Sequence, residues 1–592
     1  VNPPLPALST VNAYDYGLIA LYFGIVIWVG FYSARKNKGT DDYFKAGGKV
    51  PWFMAGVSNW VSGFSAFMFV AAAGYTYKHG SGSLLLFTAA FWAFLAGYWY
   101  FAPAWRRARI DAPLEFLTRR YSPSTSYFYT VMSILPQILG IAQGLYILCI
   151  FVSSALGFDR EVFLLAGFEL TGLQLCMLCV GVVMIVYSVV GGLWAAVLSD
   201  AVQGVIILVM SLLIFPISLN YLGNGGGLIA GLDRLFSELP PEYLIPGGEP
   251  LNVGFFSAYM VSIFLGYNVA WHLVQRYNSV PGERDAKKMA MLCAGLSVFG
   301  PLLWALPVMG AKLIFPDMAL LWPNLKAPEE ASFVSLAMLL LPHGMIGFVV
   351  AAILSATLGQ ANDAFNWLAA ATTKDVYVPL RRKLGCGETS DRHQLRAAQV
   401  TMLVVGLAGV SLSFVISRLG GAFEFALKYH SMFGPAFMMP VLLGLVYRKT
   451  PWWSGIASCS AAFIAAVTLF TFNVWPAYAY PRNVFSAVLA ATVVFVFSAF
   501  RYRADDPRSA PAIALDRDLR TPVPDAPLVA GAGLQDYRML AWVSALLGAV
   551  LLACWFLPAR PPASASVNVA AGLLLFGIAG LLWRYSRPQR SR

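Results

Sequence analysis

The chain has 592 residues, 58% of them hydrophobic and only 12% charged, with a formal net charge of +12. A soluble protein carries about a quarter charged residues, and apolar runs of ~20 residues broken by short polar segments mark a polytopic helical membrane protein. Nucleic-acid binding is excluded as the reason for the basic balance, because Lys and Arg gather in short loops between the apolar runs, where membrane topology accounts for them.

About fifteen spans are predicted by the ~20-residue rule, over residues 12–33, 51–77, 82–104, 125–157, 161–189, 193–222, 252–275, 286–315, 333–377, 395–418, 421–447, 453–473, 482–501, 536–557 and 564–584. The first run is followed by basic residues and reads as a retained span rather than a cleaved leader. The ninth is too long for one crossing. It divides into a short outer helix from Ala331 to Leu341, a break at Pro342-His343-Gly344, and the membrane helix. The basic groups Arg35/Lys36/Lys38, Arg106/Arg107/Arg109/Arg119/Arg120, Arg276/Arg284/Lys287/Lys288, Lys374/Arg381/Arg382/Lys383, Arg448/Lys449 and Arg501/Arg503 fall in alternate loops. Those loops are expected on the cytoplasmic side of the plasma (inner) membrane, with the N-terminus outside and the C-terminus inside. Residues 502–535, rich in Pro, Ala and Asp, read as a cytoplasmic linker before a terminal helix pair over 536–592.

Two spans are interrupted by small residues. The second carries Ser58, Ser62, Gly63 and Ser65; the seventh carries Gly254, Ser257, Ser262 and Gly266. Such breaks at corresponding places in two five-helix sets, here 51–222 and 252–447, point to an inverted-repeat transporter with its site near the midplane. Close helix packing is the competing reason for small residues. Asp200 lies in the apolar run 193–222, and an intramembrane carboxylate is costly enough to be a functional candidate. Cys176 and Cys179 form a mid-helix CxxC with no His or second Cys pair nearby, which favours packing over metal binding.

Several segments together resemble the sodium:solute symporter family: GGLWAAVLSDAVQ (191–203), LVQRYNSVPGERDAKKMA (273–290), DAPLEFLTRRYSP (111–123), DDYFKAGGKVPWF (41–53) and TTKDVY (372–377). The resemblance implies an all-α, LeuT-like five-plus-five inverted repeat with an extra N-terminal helix in residues 1–50, a peripheral pair over 448–501, and alternating access. By the same resemblance, sodium is bound by backbone carbonyls at Val61 and Phe64 of the first broken helix and at Ala356. The family's adjacent hydroxyls fall on Gly359 and Gln360, of which only Gln360 offers a side-chain oxygen. In sialic-acid-type members a second sodium uses the acid matching Asp200 with the positions matching Asn362 and Asp363. Two carboxylates in a low dielectric hold a cation or share a proton. Ion coupling is therefore expected to have moved towards Asp200 and Asp363, with sodium as the ion and a proton as the alternative.

The implied solute-contact positions are Ser65, Met68, Ala270, Ser297 and Leu427, with His272 in place of an aromatic inner gate. This lining offers little to a polyol. In the eleventh span Glu424 and Lys428 stand four apart and share a helix face, either as a structural pair, with Glu424 near the outer interface, or with Lys428 meeting a solute carboxylate. The reading is a secondary active transporter that brings a small organic solute into the cytoplasm with sodium, and that needs no organic cofactor. An uncoupled carrier or a membrane sensor are the rivals. No Walker-type phosphate loop is present, and no enzyme activity is expected.

Overall fold

A computed structural model describes residues 6–586 apart from 7, 10, 35–47, 64–65, 111–113, 159–160, 166, 246–250, 343, 386–388, 419–420, 473, 524–533 and 554–564. Phe64, Ser65, His343, the Arg35/Lys36/Lys38 group and most of the DDYFKAGGKVPWF segment thus lie outside the described residues. Eleven described helices are long and apolar enough to cross a membrane, and two bent pairs bring the number to 13. The shorter apolar helices Ala13–Val29 and Gly172–Val186 coincide with the first and fifth predicted spans.

Helix α1 (Ala13–Ala34) precedes the first broken span, α2 (Trp52–Gly63) and α3 (Ala66–His79), which meet at 47°. Then come α4 (Ser81–Arg107), α5 (Pro123–Leu156) and α6 (Gly172–Leu222). The second broken span is α7 (Val253–Val269) with α8 (Trp271–Ser279), bent by 42° at Ala270. There follow α9 (Glu283–Ile314), α10 (Ser332–Leu340), α11 (Met345–Ala371), α12 (Asp391–Ile416) and α13 (Ala422–Val446). The chain closes with α14 (Ser454–Thr471), α15 (Ala479–Ala499), α16 (Ala510–Arg520), α17 (Leu534–Ala553) and α18 (Ala565–Tyr585). α10 and α11 flank the predicted break in the ninth run.

Two expectations are corrected around α6. The fifth span does not begin at residue 161. Val162–Leu165 pairs antiparallel with Phe168–Thr171 instead, turning at Gly167 with φ of 84°. Gly adopts that left-handed conformation without the Cβ penalty. Thr171 and Gln174 then form a reciprocal capping box that starts α6. Nor does a loop divide α6 near Gly191-Gly192, since its backbone is helical throughout. Glycine costs only about 1 kcal/mol in a helix interior, which long apolar flanks offset.

The extra N-terminal helix is pinned by one acid. Asp15, fully buried, takes the backbone N–H groups of Gly344 and Gly347 on Oδ1, each at 2.8 Å. A carboxylate there satisfies donors that α11 leaves unpaired at its start and complements its dipole. A Cβ on Gly347 would meet the Asp15 carbonyl oxygen at 2.2 Å, so the two backbones touch. Asp15→Ala is expected to cost about 1–2 kcal/mol, as other N-terminal caps do, and to lower the melting temperature of the purified protein. An unchanged transition would show that the cap contributes nothing.

The predicted linker is in part a strap. α16 buries Ala512, Leu515 and Leu519 and turns its acids to the basic loops. Asp516 pairs with Arg448 at 2.7 Å, and Asp518 pairs with Arg109 at 3.2 Å and with Arg119. Glu283 takes two bonds from Arg107, at 2.9 and 2.8 Å, and one from the Val523 N–H at 2.6 Å. The basic loops that were expected to share one side therefore converge. Arg120, expected in a loop, is buried. It donates to the carbonyls of Gly444 and Tyr447 at the end of α13 and to Thr450, where a cation suits the helix dipole.

Candidate functional site

The two broken spans flank a cavity of about 410 Å³. Ser62 and Gly63 reach it from α2, Ala270 and His272 from the break between α7 and α8, and Thr357 and Gln360 from α11. Gln137 and Gln143 on α5, and Leu427 and His430 on α13, also line it. Several hydroxyls are already engaged within the protein. Thr357 donates to the Ile353 carbonyl, Tyr429 to that of Pro136, and Tyr480 to Ser262.

Rings close one end. Phe423 stacks on Tyr75 with centroids 4.1 Å apart and on Phe67 at 5.7 Å, and meets Phe87 edge-on at 6.1 Å. Glu330 holds this end together. Its Oε1 accepts the Ala422 N–H at 2.6 Å and the Phe423 N–H at 3.4 Å, at the start of α13. A Cβ on Gly74 of α3 would lie 2.9 Å from the Glu330 backbone.

Burial pushes the Glu330 carboxyl up to about 8, reinforced by Glu329 and opposed by the two N–H groups and Lys78. An acid raised in the folded state favours folding while protonated. That contribution is complete below the ordinary Glu value of 4.5 and is lost as pH rises through 8. Glu330→Gln is therefore expected to flatten the decline of melting temperature across this window while keeping the cap. A variant that declines as steeply as the parent would remove Glu330 from the titration.

Behind the cavity lies a charged cluster. Asp200 on α6 and Asp363 on α11 converge on Arg276 of α8, and none of the three side chains is more than 2% exposed. Arg276 Nη2 donates to Asp200 Oδ2 at 3.2 Å and to Asp363 Oδ2. Its Nε donates to Ser58 Oγ at 3.2 Å, and its Nη1 to the His272 carbonyl at 2.6 Å. Ser58 in turn donates to Asp200 Oδ2 at 2.7 Å. Ser62 lies between cluster and cavity, with Oγ 3.4 Å from Asp363 Oδ2. Asp363 Oδ1 is buried with no hydrogen-bond partner among the described residues.

Arg276 is the member of this cluster that the sequence reading misplaced. It was grouped with loop charges because QRYN follows the apolar run. The signal that could have found it is its position, on the half-helix after a break and facing two intramembrane acids.

Gly359 acquires a different meaning. A Cβ there would meet Asp200 Oδ1 at 2.5 Å and Gln203 Oε1 at 3.4 Å. The space that a hydroxyl-bearing residue would need is taken by the Asp200 carboxylate. Gln360 points its amide nitrogen at the Ser62 carbonyl, 2.7 Å away, so towards that backbone it presents a donor rather than the anticipated oxygen.

Of the other expected contacts, Ala270 and His272 line the cavity, and Met68 and Ser297 do not. Met68 is packed in the core, and Ser297 Oγ donates to the Cys293 carbonyl. Val61 is buried on α2, and Ala356 lies within α11. Asn362 Oδ1 accepts from Asn366. Glu424 and Lys428 are exposed and form no ion pair among the described residues, and neither lines the cavity. Their expected pairing is corrected: four residues apart on a helix permits a bridge but does not impose one, and exposed i,i+4 pairs gain only about 0.3–0.5 kcal/mol.

The sequence model described as Sodium:solute symporter family matches residues 43–452. The sodium/sialic acid symporter NanT of Aliivibrio fischeri (strain ATCC 700601 / ES114) is 26% identical over 81% of this chain and 91% of its own length. The sodium/glucose cotransporter of Vibrio parahaemolyticus is 25% identical over 74% of this chain and 81% of its own. A solved structure of a Na+-coupled sialic acid symporter superposes with a TM-score of 0.68 at 17% identity, covering 83% of this chain and 98% of that one. At that identity the structural likeness speaks to the fold.

Proposed function

Because the chain belongs to the sodium:solute symporter family, we propose that it carries a small organic solute into the cytoplasm together with sodium, by alternating access around the cavity between the two broken spans. The observation that carries this reading is the adjacency of that cavity to the acid cluster through Ser62. A broken helix exposes backbone carbonyls and helix ends to both solute and ion. Two carboxylates against one guanidinium leave one negative charge, and a negative charge at this depth is stable only with a cation beside it. Sodium is placed on the Asp363 side of the cluster, with Asn362 and Ser62 adjacent. The cage of Val61, Phe64 and Ala356 is the weaker candidate, because Gly359 supplies no ligand and Gln360 turns a donor towards the first break. A proton is the alternative ion at the same acids.

The cavity lining contains no Asp, Glu, Lys or Arg among the described residues. A solute held there is gripped by ring faces, Gln137, Gln143 and His272 rather than by a formal charge. Orientation follows the basic loops, which face the cytoplasm together with α16, so the ring-closed end faces outside.

The test is a thermal-shift screen of the purified protein against uncharged, anionic and cationic solutes, with and without sodium. A ligand of the folded form raises apparent stability by mass action. An uncharged solute whose effect needs sodium is the expected hit, to be followed by uptake into proteoliposomes under separately imposed sodium and pH gradients. Accumulation driven by the pH gradient alone would replace sodium with a proton. Exchange without accumulation would make the protein an uncoupled carrier.

A further inference from the structure

We propose that Arg276 is a tethered cation that takes one of two ion positions between Asp200 and Asp363, so that the cluster binds a single mobile sodium. The inference rests on sodium being the coupling ion. Its geometry is independent of that reading. The Oδ2 atoms of both acids face the same nitrogen, Nη2 of Arg276. Ser58 completes the ring by accepting from Nε and donating to Asp200. An ion placed between the two Oδ2 atoms would overlap the guanidinium, which keeps its charge at any pH the protein survives.

Without Arg276 the two acids would be two cations short, and with it they are one short. The remaining demand falls on Asp363 Oδ1, which has no hydrogen-bond partner among the described residues. Because the guanidinium is bonded to α8, it is never released to either side of the membrane. It moves only as far as α8 moves against α6 and α11. The consequence is arithmetic: each transport cycle carries one charge fewer than two acids alone would carry.

The experiment counts 22Na+ bound per chain on purified, folded protein at saturating sodium, for the parent, Arg276→Gln and Arg276→Lys. The parent and Arg276→Lys are expected to bind one ion, and Arg276→Gln to bind two. Two ions on the parent, or one on both the parent and Arg276→Gln, would overturn the proposal. Should Arg276→Gln not fold, the parent count still decides, because a second ion there leaves Arg276 replacing nothing. A parent that binds no sodium while Arg276→Gln gains one ion would sink the sodium reading above and leave the tethered cation standing.

Discussion

Replacing Arg276 by alanine is expected to destabilise the protein by about 3–5 kcal/mol and to abolish solute uptake. Removing one member of a buried charge pair leaves its partners uncompensated, and here two carboxylates would face each other across the vacated space. The acids are not equivalent to the arginine in this respect. Asp200→Asn leaves one guanidinium against one carboxylate, a neutral pair, and loses mainly hydrogen bonds from Ser58 and Arg276. Its expected cost is about 1–3 kcal/mol. Denaturation of the purified variants would rank them, and acidification should rescue Arg276→Ala selectively, because protonation removes the uncompensated charge. Equal stability of Arg276→Ala and the parent would mean that the cluster is not held together by its charges.

Gly359→Ser is expected to be harmful, although it restores the residue type usual for the family. Its Cβ would enter the position of Asp200 Oδ1, only 2.5 Å away. That carboxylate has little freedom to yield, since Oδ2 is held by Ser58 and Arg276. Overpacking of this kind costs about 1–3 kcal/mol, and shifting Asp200 would disturb the proposed ion site as well. Uptake should fall below a tenth of the parent's at equal amounts of folded protein. Parent-like uptake would show that Asp200 swings aside without consequence. The change is informative because a reading based on ligand inventory predicts improved sodium binding, and packing predicts the reverse.

The contrast between Gly359 and Asp200 shows how far a sequence reading reaches. Asp200 was legible because an acid in a bilayer-length apolar run is rare for energetic reasons. The first break was legible, because Ser62 and Gly63 stand where α2 ends; the second was displaced, because Gly254, Ser257, Ser262 and Gly266 all lie inside the continuous α7 and the bend falls at Ala270. Gly359 was read only as a missing ligand, since the space it opens belongs to a residue 159 positions away. Arg276 was hidden by its neighbours: a window ending in polar residues looks like a loop, and burial by α6, α11 and α2 is a tertiary fact. Glu330 was likewise invisible, because its work is to cap a helix that begins 92 residues later. The docked helix within the linker was hidden for a related reason. Low hydropathy predicts solvent exposure of α16 and says nothing of the arginines that Asp516 and Asp518 meet.

The cap that Asp15 provides also imposes an order of events on the growing chain. Its partners, Gly344 and Gly347, lie 329 and 332 residues later. At synthesis rates of about 5–20 residues per second, the first helix emerges roughly 16–66 s before the N–H groups that its carboxylate needs. Through that interval Asp15 has only the local N–H of Asn12, 3.1 Å from Oδ2, and its Oδ1 lacks the two amides of α11. The docking of the N-terminal helix against α11 is therefore a late contact, made only once the chain beyond Gly347 exists.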